Sequence, residues 1–341
     1  MPNTRPVQFS TVSSAFVADW LTALRPLCSD KQFRSLLERS DIALGQQQQG
    51  RVTLDQTVRL YQLAAVETGD EMMGLWSRPI RPRALQHLLT SVREATSLAS
   101  ALYRFSTFWN LLLDDYQFEL QEDDAAVALI LRPQAPQCAQ RFGHMLIMKL
   151  AHGLLSWLAR HEVPVKAVEF AFDRPEFEQD YAVVFPAPVR FGAPATTLWF
   201  DQSALVRVHA RSAADLDVFL ENAPRDWIFT RSSDHTQSLR VRSFLTRSGW
   251  ERATLTNAAL AMHMTPRTLM RRLELDGTSF QAIKDGLRRD MAIGHLQAGR
   301  KSIEAIAQEL GFSSAASFHK AFNRWTQNPP SAYRRKQTDV L

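Results

Sequence analysis

The sequence predicts an α+β N-terminal domain followed by an all-α C-terminal domain with two helix-turn-helix motifs joined by a linker helix. In residues 116–120 apolar and polar side chains alternate, and together with the apolar segment 126–131 they predict two strands of a hairpin with one buried face. Helical spacing of apolar residues comes before and after these segments. Near the C-terminus one helical pattern occurs twice, 48 residues apart, in residues 255–273 and 303–322. We therefore expect three parts along the chain: a first domain over 1–210, a linker over 211–238 and a second domain over 239–337.

The first domain begins with predicted helices and continues with predicted strands. Apolar periodicity predicts helices at 31–38, at 54–68 and at 83–113, the last divided near Thr96. The acidic turn Glu122-Asp123-Asp124 between the segments 116–120 and 126–131 is the signature of a β-hairpin. Further along we expect a helix at 140–160, a strand at 165–172, a turn at 173–175 and short strands at 188–191 and 197–200. The helix at 140–160 fits two roles, a cover on the sheet or a dimer surface.

The two copies of the repeated pattern agree in where small and large residues fall. Leu255 aligns with Ile303 and Ala259 with Ala307, and one extra residue in the second turn precedes the alignment of Leu269 with Phe318. An alanine in the middle of a helix lets a second helix cross closely. In the second copy Gly311 can adopt the positive φ that ends a helix. Two crossing helices joined by a tight turn are expected at each copy.

Local signals indicate where these helices begin and how the motifs are joined. Thr265 before Pro266 predicts an N-cap, and Ser302 and Ser313 are expected to cap the helices that follow them. A linking helix is predicted over 280–296, and such a helix is about 26 Å long. With its turns, this is about the length that sets two recognition helices one DNA turn, about 34 Å, apart. One chain would then reach two successive major grooves.

Helical wheels separate a buried face from an outward face in the second helix of each motif. Leu269 and Leu273 form the buried stripe of the first, and Phe318, Phe322 and Trp325 that of the second. The outward faces carry candidates for reading base edges: Arg267, Thr268, Met270, Arg271, Ala316, Ser317 and Lys320. Candidates for phosphate contacts flank them: Arg272, His319, Asn323 and Arg324. The expected partner is double-stranded DNA.

The charge distribution agrees with a DNA-binding C-terminal part. Residues 231–341 contain 18 Lys or Arg and 9 Asp or Glu, whereas residues 1–230 contain 22 and 26. Phosphate contacts from a basic face would supply most of the affinity and make it salt-dependent. Six arginines are candidates for such contacts, or alternatively solvated surface residues: Arg272, Arg288, Arg289, Arg324, Arg334 and Arg335.

The stretches TPRTLMRRLELDGTSFQAIKDGLRRDMAIGHL and SIEAIAQELGFSSAASFHKAFNRWTQNPPSAYR resemble the DNA-binding domain of the AraC/XylS family of bacterial transcription regulators. The resemblance covers both motifs, the linking helix and the closing segment 330–334. It departs at Thr326-Gln327-Asn328-Pro329-Pro330, where the family has Thr-Gly-x-Ser/Thr-Pro and this chain has no glycine. The resemblance implies a sequence-specific regulator and favours activation through contact with RNA polymerase.

The stretch VEFAFDRPEFEQDYAVVFPAPVRFGAPATTLWFDQSAL is similar to the arabinose-binding-like effector domain of the ornithine-utilisation-regulator type, over roughly residues 25–210. That resemblance implies an unknown small-molecule effector, dimerisation into a homodimer, or both, and the domain name assigns no sugar. Candidate effector contacts combine aromatic and polar chemistry suited to a pocket: Trp76, Arg93, Phe105, Trp109, His144 and His152. Each also fits an ordinary core position.

Other function classes find little support in the residues. The acidic pairs at 114–115 and 122–124 lack a metal ligand or general acid at fixed spacing, and no HExxH, Cys/His cluster, GxSxG or phosphate loop occurs. We therefore expect no enzyme, no metal and no cofactor. The apolar stretch 145–158 is too short to span a bilayer, no secretory signal is visible, and Cys28 and Cys138 fit a reducing compartment. A cytoplasmic protein away from membranes is expected.

Two alternatives to a regulated DNA-binding protein stay open. The first is a constitutive architectural DNA-binding protein whose N-terminal half only oligomerises, and a ligand-dependent shift in melting or DNA affinity would distinguish it. The second is an enzyme with a DNA-binding tail, which lacks a catalytic constellation. Between the domains, the polar run 230–238 has no apolar periodicity and is the expected flexible part of the linker.

Overall fold

The computed structural model describes residues 11–42, 51–123, 125–134, 141–185, 187–228, 237–275 and 278–334. The chain divides into two compact units. The mixed unit comprises 16–44 and 56–235, and the helical unit comprises 1–15, 45–55 and 236–341. The division differs from the predicted one, because two short segments from the first 55 residues belong with the C-terminal helices.

The elements of both units follow in chain order. Strands β1 to β7 are Thr11–Ser13, Arg51–Thr53, Tyr116–Glu122, Ala126–Pro133, Val165–Phe170, Val189–Phe191 and Thr196–Asp201. Helices α1 to α9 are Ser14–Leu24, Asp30–Ser40, Leu54–Thr68, Ala84–Arg93, Leu98–Leu112, Arg141–Ala159, Tyr181–Val184, Ala213–Glu221 and Arg225–Ile228. Helices α10 to α15 are Gln237–Ser248, Leu255–Ala261, Pro266–Leu275, Phe280–Ala298, Ile303–Glu309 and Ala315–Thr326. Short 3₁₀ turns include Trp250–Arg252 before α11 and Pro330–Tyr333 after α15.

A five-stranded sheet in the order β3-β4-β7-β5-β6 forms the centre of the mixed unit. The described pairs are antiparallel except for β5 and β6, which are parallel. In the hairpin, Phe118 faces Leu131 and Leu120 faces Leu129, so their apolar side chains share one face of the sheet. Helix α5 packs on β3 at this face. The predicted hairpin with a buried face is confirmed.

Helix α6 covers the sheet and is almost entirely buried. Of its 19 residues, only Arg141 and Trp157 are not buried. A helix whose residues are buried nearly all round lies inside the protein and has no free face to offer to a second copy of the chain. Of the two roles predicted for this segment, the structure supports the sheet cover, and the dimer-surface role is wrong.

The other predicted elements of the mixed unit lie close to their expected bounds. The segment 83–113 divides as expected, because Ser97 begins α5 by accepting a hydrogen bond from the Ser100 amide at 3.0 Å. The sequence reading missed α1, although its apolar residues recur at helical spacing. These buried residues are Phe16, Val17, Trp20, Leu21 and Leu24. The signal was therefore present in the sequence.

The segment predicted as a linker is folded over most of its length. Ser212 and Asp215 form a capping box at the start of α8, and α9 packs against α6. Gly153 of α6 lies so close to Trp227 that any Cβ there would clash with the Trp227 backbone. The predicted linker over 211–238 is therefore corrected: 213–228 contribute two helices, 229–236 lie outside the described residues, and 237–238 begin α10.

The helical unit contains two apolar cores on one long helix. The first core includes Val241, Leu269 and Leu287, and the second includes Ile293 and Phe318. Trp250 and Met291 pack against both cores. Helix α13 contributes to each core and extends two residues beyond its predicted end. The two helix-turn-helix motifs are thus parts of one packed unit.

Strands β1 and β2 form an antiparallel pair that belongs to the helical unit. Val12 pairs with Val52, both are buried, and β2 contacts α13. The Thr11 hydroxyl donates a hydrogen bond to Asp290 Oδ1 at 2.7 Å. Asp290 is 1% exposed and also lies 3.0 Å from the Arg242 guanidinium. A buried carboxylate is stable only with such partners, so the strand pair helps to satisfy a charge in the middle of α13.

Candidate nucleic-acid interface

The first helix-turn-helix motif consists of α11, a turn and α12. Ala259 is fully buried where the two helices pack, as its small size predicts. The Thr265 hydroxyl accepts a hydrogen bond from the Thr268 amide at 3.2 Å and begins α12, as predicted. Leu269 and Leu273 are fully buried. The opposite face of α12 is therefore directed outward.

The second motif consists of α14, a turn and α15. Ser302 caps α14 as predicted, accepting from the Ala305 amide at 3.1 Å. The cap of α15 is Ser314 rather than the predicted Ser313, and it accepts from the Ser317 amide at 3.1 Å. The extra residue in this turn moves the cap by one position. The spacing of Ser314 and Ser317, which form a capping box, was the signal that identifies it.

The two turns have the same backbone geometry at equivalent positions. His263 and Gly311, 48 residues apart, have φ angles of 55° and 72°. The next amide in each motif donates to a buried alanine carbonyl, Met264 to Ala259 at 3.0 Å and Phe312 to Ala307 at 2.9 Å. The positive φ predicted for Gly311 is confirmed. His263 adopts the same conformation at a cost of about 1 kcal/mol.

The seven candidate base-reading residues all lie on the outward faces of α12 and α15. Six of them are exposed: Arg267, Thr268, Met270, Arg271, Ala316 and Lys320. Ser317 is half-buried, and its hydroxyl donates to the Ser314 carbonyl at 2.7 Å. The Thr268 hydroxyl lies 2.9 Å from that of Thr265. These two hydroxyls therefore also take part in starting their helices.

The four candidate phosphate contacts surround these faces. Arg272, Asn323 and Arg324 are exposed, and His319 is half-buried beside Phe318. The Arg324 guanidinium lies 3.3 Å from Asp285 on α13. Exposed ion pairs of this kind contribute little stability, so Arg324 can exchange its partner at small cost.

Three more of the six candidate phosphate-binding arginines have partners within the helical unit. Arg288 lies between two aromatic rings, and Arg289 pairs with the buried Asp290 at 3.2 Å. Both guanidinium groups have partners inside the helical unit, which is neither of the two predicted roles, a phosphate contact or a solvated surface position. Arg334 donates to the Lys301 carbonyl at 2.6 Å, and Arg335 lies outside the described residues.

A glutamine takes the place of the glycine that is absent after α15. Gln327 has a φ of 56°, and its amide donates to the Asn323 carbonyl at 2.8 Å. The Thr326 hydroxyl is buried and donates to the Phe322 carbonyl at 2.9 Å. The helix therefore ends in the usual left-handed conformation without glycine.

Four of the candidate effector residues are buried between the sheet and the segments that cover it. The rings of Trp76 and His144 lie 5.2 Å and 5.0 Å from that of Tyr116. Phe105 contacts Trp109, with ring centroids 6.1 Å apart. All four candidates are buried. Arg93 instead pairs with Glu94 at the end of α4, at 3.2 Å.

His144 is held by two hydroxyl groups. Its Nδ1 lies 2.7 Å from the Thr196 hydroxyl and its Nε2 lies 2.9 Å from the Tyr116 hydroxyl. Burial lowers the pKa of His144 to about 4. The ring is therefore neutral near pH 7 and exchanges one donated and one accepted hydrogen bond with its partners.

A second buried polar group lies further along α6. The Lys149 ammonium donates to His152 Nδ1 at 3.0 Å, and His152 Nε2 donates to the Val163 carbonyl at 2.9 Å. Burial lowers the pKa of Lys149 to about 8, opposed by the charge of Glu162. Burial also lowers the pKa of His152, and the neighbouring Lys149 lowers it further. His152 therefore sits in the core as a neutral, satisfied ring rather than on a surface.

Comparison with known families identifies both units. The sequence model of the N-terminal arabinose-binding domain of AraC transcription regulators matches residues 32–208, and a helix-turn-helix domain matches residues 258–336. The chain belongs to the AraC family of transcription regulators. The predicted family and fold class are thereby confirmed. Members of this family regulate transcription rather than catalyse reactions, in agreement with the sequence prediction.

Individual relatives of this AraC-family chain are also regulators. The chain is 26% identical to an ornithine utilization regulator of Pseudomonas aeruginosa over 245 residues, which is 72% of each chain. It is 29% identical to the urease operon transcriptional activator of Escherichia coli over 107 residues, 31% of this chain and 36% of that one. A crystal structure of the regulator CdpR from Pseudomonas aeruginosa, 20% identical, covers 94% of this chain and 97% of its own, with a TM-score of 0.33.

No helix in the described part of the chain has the length and apolar character needed to cross a membrane. Among the residues that the structure describes, no three His, Cys, Asp or Glu side chains are grouped so that they could hold a metal ion.

Proposed function

We propose that this AraC-family regulator binds one DNA site with both motifs, placing α12 and α15 in two successive major grooves. The observation that carries the proposal is that both outward faces expose their candidate reading residues while both core stripes are buried against one unit built on α13. The concentration of basic residues in the same part of the chain supports it.

The two motifs would read different bases. Arg267 and Arg271 in α12 carry guanidinium groups that can pair with guanine edges. Ala316 in α15 suits a thymine methyl, and Lys320 suits a guanine or a phosphate. The flanking set would hold phosphates and fix the register of the protein on the duplex: Arg272, His319, Asn323 and Arg324.

The regulation is the second part of the proposal. We infer that a small-molecule effector binds the mixed unit in the cytoplasm and that the regulator activates transcription through RNA polymerase. The match of this unit to a domain named for arabinose binding supports a sensing role, and the relative from Escherichia coli is named an activator. The candidate effector contacts remain Trp76, Arg93, Phe105, Trp109 and His144.

Homodimerisation is the third part, and α5 offers a better surface for it than α6. Tyr103 and Leu111, two turns apart on α5, are 64% and 76% exposed. A second copy of this chain would cover such apolar side chains. Light scattering should report a dimer for the natural protein and a monomer for Leu111→Glu. If the natural protein and Leu111→Glu are both dimers, the dimer contact does not involve this face of α5.

The test of the main proposal is selection of bound duplexes from a random pool. The full-length protein is used at physiological salt, with and without a mixture of metabolites. We expect a recovered site with two contact blocks about one helical turn, roughly 34 Å, apart. Dependence of the recovery on the metabolite mixture would support the sensing role of the mixed unit.

The architectural alternative makes the opposite prediction in the same experiment. No sequence would be enriched, binding would fade steadily as salt rises, and metabolites would change neither the DNA affinity nor the melting temperature. That result would contradict the two-groove proposal and the effector together.

A further inference from the structure

Arg288 lies between two aromatic rings of the helical unit. Its Cζ lies 4.7 Å from the centre of the Trp250 ring and 4.8 Å from that of Phe312. Its Nη2 donates to the Gly311 carbonyl at 3.4 Å. The Nε atom is buried and has no hydrogen-bond partner among the described residues. The guanidinium is therefore held chiefly by the two ring faces, and each such contact stabilises by about 0.5–2 kcal/mol.

The two rings come from segments before and after α13 in the chain. Trp250 precedes α11 and packs against the cores of both motifs, the first of which includes Ala259 and Leu269. Phe312 follows the turn of the second motif and packs against its core. Arg288 itself lies on α13, the helix shared by both motifs. We call Trp250, Arg288, Gly311 and Phe312 the arginine junction.

The junction extends to the second recognition helix. The Phe312 ring lies 5.6 Å from that of Phe318 and 5.8 Å from that of Trp325, both on α15. On the other side, the Gly311 position approaches Trp250 so closely that an added Cβ would lie 2.6 Å from Trp250 Cβ. A continuous line of packed groups therefore connects the core of the first motif with α15, in addition to the covalent connection through α13.

We infer that Arg288 is a positioning residue that fixes α15 relative to the first motif and thereby sets the spacing between the two DNA contact blocks. The inference rests on the proposed two-groove binding. A planar guanidinium fills the slot between two rings, whereas a lysine ammonium on a flexible stem does not, so lysine keeps the charge and loses the stacking. Without the Arg288 guanidinium, α13 and the packing of Trp250 and Met291 against both cores still connect the motifs, but Phe312 loses its stacked partner. We expect the second motif then to meet its block over a range of positions.

The experiment measures affinity against the spacing of the two blocks. A duplex that the natural protein selects is remade with one base pair added or removed between its blocks, which shifts one block by about 3.4 Å and rotates it by about 35°. The full-length natural protein, Arg288→Lys and Arg288→Leu are compared. Arg300→Ala, which removes an exposed arginine beyond the end of α13, serves as the control. Thermal unfolding of each protein shows that it is folded at the assay temperature.

The natural protein and Arg300→Ala should lose on the order of tenfold in affinity with either altered spacing, because a rigid pair of motifs cannot follow the shift. Both Arg288 variants should lose less than about threefold, since their second motif can adjust. Phe312→Leu, which removes the ring face and keeps an apolar side chain, should flatten the profile in the same way. It replaces the Arg288 variants if these do not fold.

Different outcomes test the positioning role of Arg288 and the two-groove binding on which it rests. An unchanged spacing profile in the junction variants would overturn the positioning role, and so would an equal loss of affinity at every spacing, which indicates a phosphate contact. A natural protein that binds all spacings equally would instead contradict the two-groove proposal itself.

Discussion

The two helix-turn-helix motifs share the backbone geometry at one position of their turns but use different residues there and in their cores. The first turn places His263 at positive φ, whereas the second uses Gly311. The first recognition helix is held by leucines, including Leu269, and the second by aromatic rings, including Phe318. The outward faces differ as well, since one carries arginines and the other an alanine and a lysine.

The comparison explains why a glycine is needed in only one of the turns. His263 is exposed, so only its backbone conformation matters, and a side chain is tolerated at a cost of about 1 kcal/mol. Gly311 has the same φ but faces Trp250, with no room for a Cβ. The requirement for glycine therefore comes from the arginine junction rather than from the turn.

The largest expected effect follows from that difference. Gly311→Ala should lower the free energy of unfolding by about 2–4 kcal/mol, because it adds a left-handed alanine and a clash with Trp250. Urea denaturation monitored by circular dichroism measures the change. His263→Ala is the matched control and should stay within about 0.5 kcal/mol, because it replaces one exposed side chain by another. Equal effects at both turns would contradict the role of Trp250.

The second largest effect is expected on DNA specificity, where the outward faces of α12 and α15 should differ. Arg271→Ala should reduce the discrimination between the selected site and random DNA by about 1–3 kcal/mol, because a guanidinium pairs with a guanine edge through two hydrogen bonds. Lys320→Ala should reduce it less. Equilibrium binding to both duplexes at one salt concentration gives the two numbers. If Arg271→Ala weakens specific and random binding equally, the arginine contacts phosphate.

A substitution in α13, the helix that both motifs share, should change stability without changing how the two motifs are spaced on DNA. Gly286 lies inside α13, and a Cβ there would meet no other atom within 4 Å. Gly286→Ala should therefore raise the free energy of unfolding by about 0.5–1 kcal/mol through helix propensity. Calorimetry would report a higher melting temperature with the spacing profile on DNA unchanged. A lower melting temperature would mean that the glycine serves a bend.

The smallest effect is expected where the first turn is made more like the second. His263→Gly should raise the free energy of unfolding by about 0.5 kcal/mol, because the relief of the positive φ is partly offset by a more flexible unfolded chain. Gln327→Gly at the end of α15 should act similarly, since it has the same backbone conformation. Differential scanning calorimetry against the natural protein measures both, and destabilisation would mean that these side chains make stabilising contacts.

Much of this architecture was predictable because it depends on local periodicity. The repeat, the hairpin and the division of 83–113 follow from apolar spacing and turn residues, and the structure agrees with them. The cap at Ser314 was missed by one residue, because two adjacent serines offer the same chemistry and only the length of the turn selects between them.

The errors about arginines depend on burial and partners that only the tertiary fold creates. Arg288 and Arg289 were candidates for phosphate contacts or for solvated surface positions, because a helical wheel does not reveal Trp250, Phe312 or the burial of Asp290 beside them. The helices within 213–228 were missed because the residues around them are polar, although Trp227 is almost fully buried. A helical wheel shows which residues of a helix lie on the same face. It does not show which other part of the chain packs on that face, because the tertiary fold decides this.

The strand pair β1–β2 has a practical consequence for how the regulator can be divided. A fragment that starts at residue 239 would lose Thr11, Val12 and Val52, and with them one hydrogen bond to Asp290 and an apolar cover on α13. Arg242 and Arg289 would still neutralise the carboxylate, so such a fragment would fold with an exposed strip. The DNA-binding unit therefore cannot be transferred to another protein as one continuous segment, because two of its parts are separated from the rest in the sequence by residues of the mixed unit.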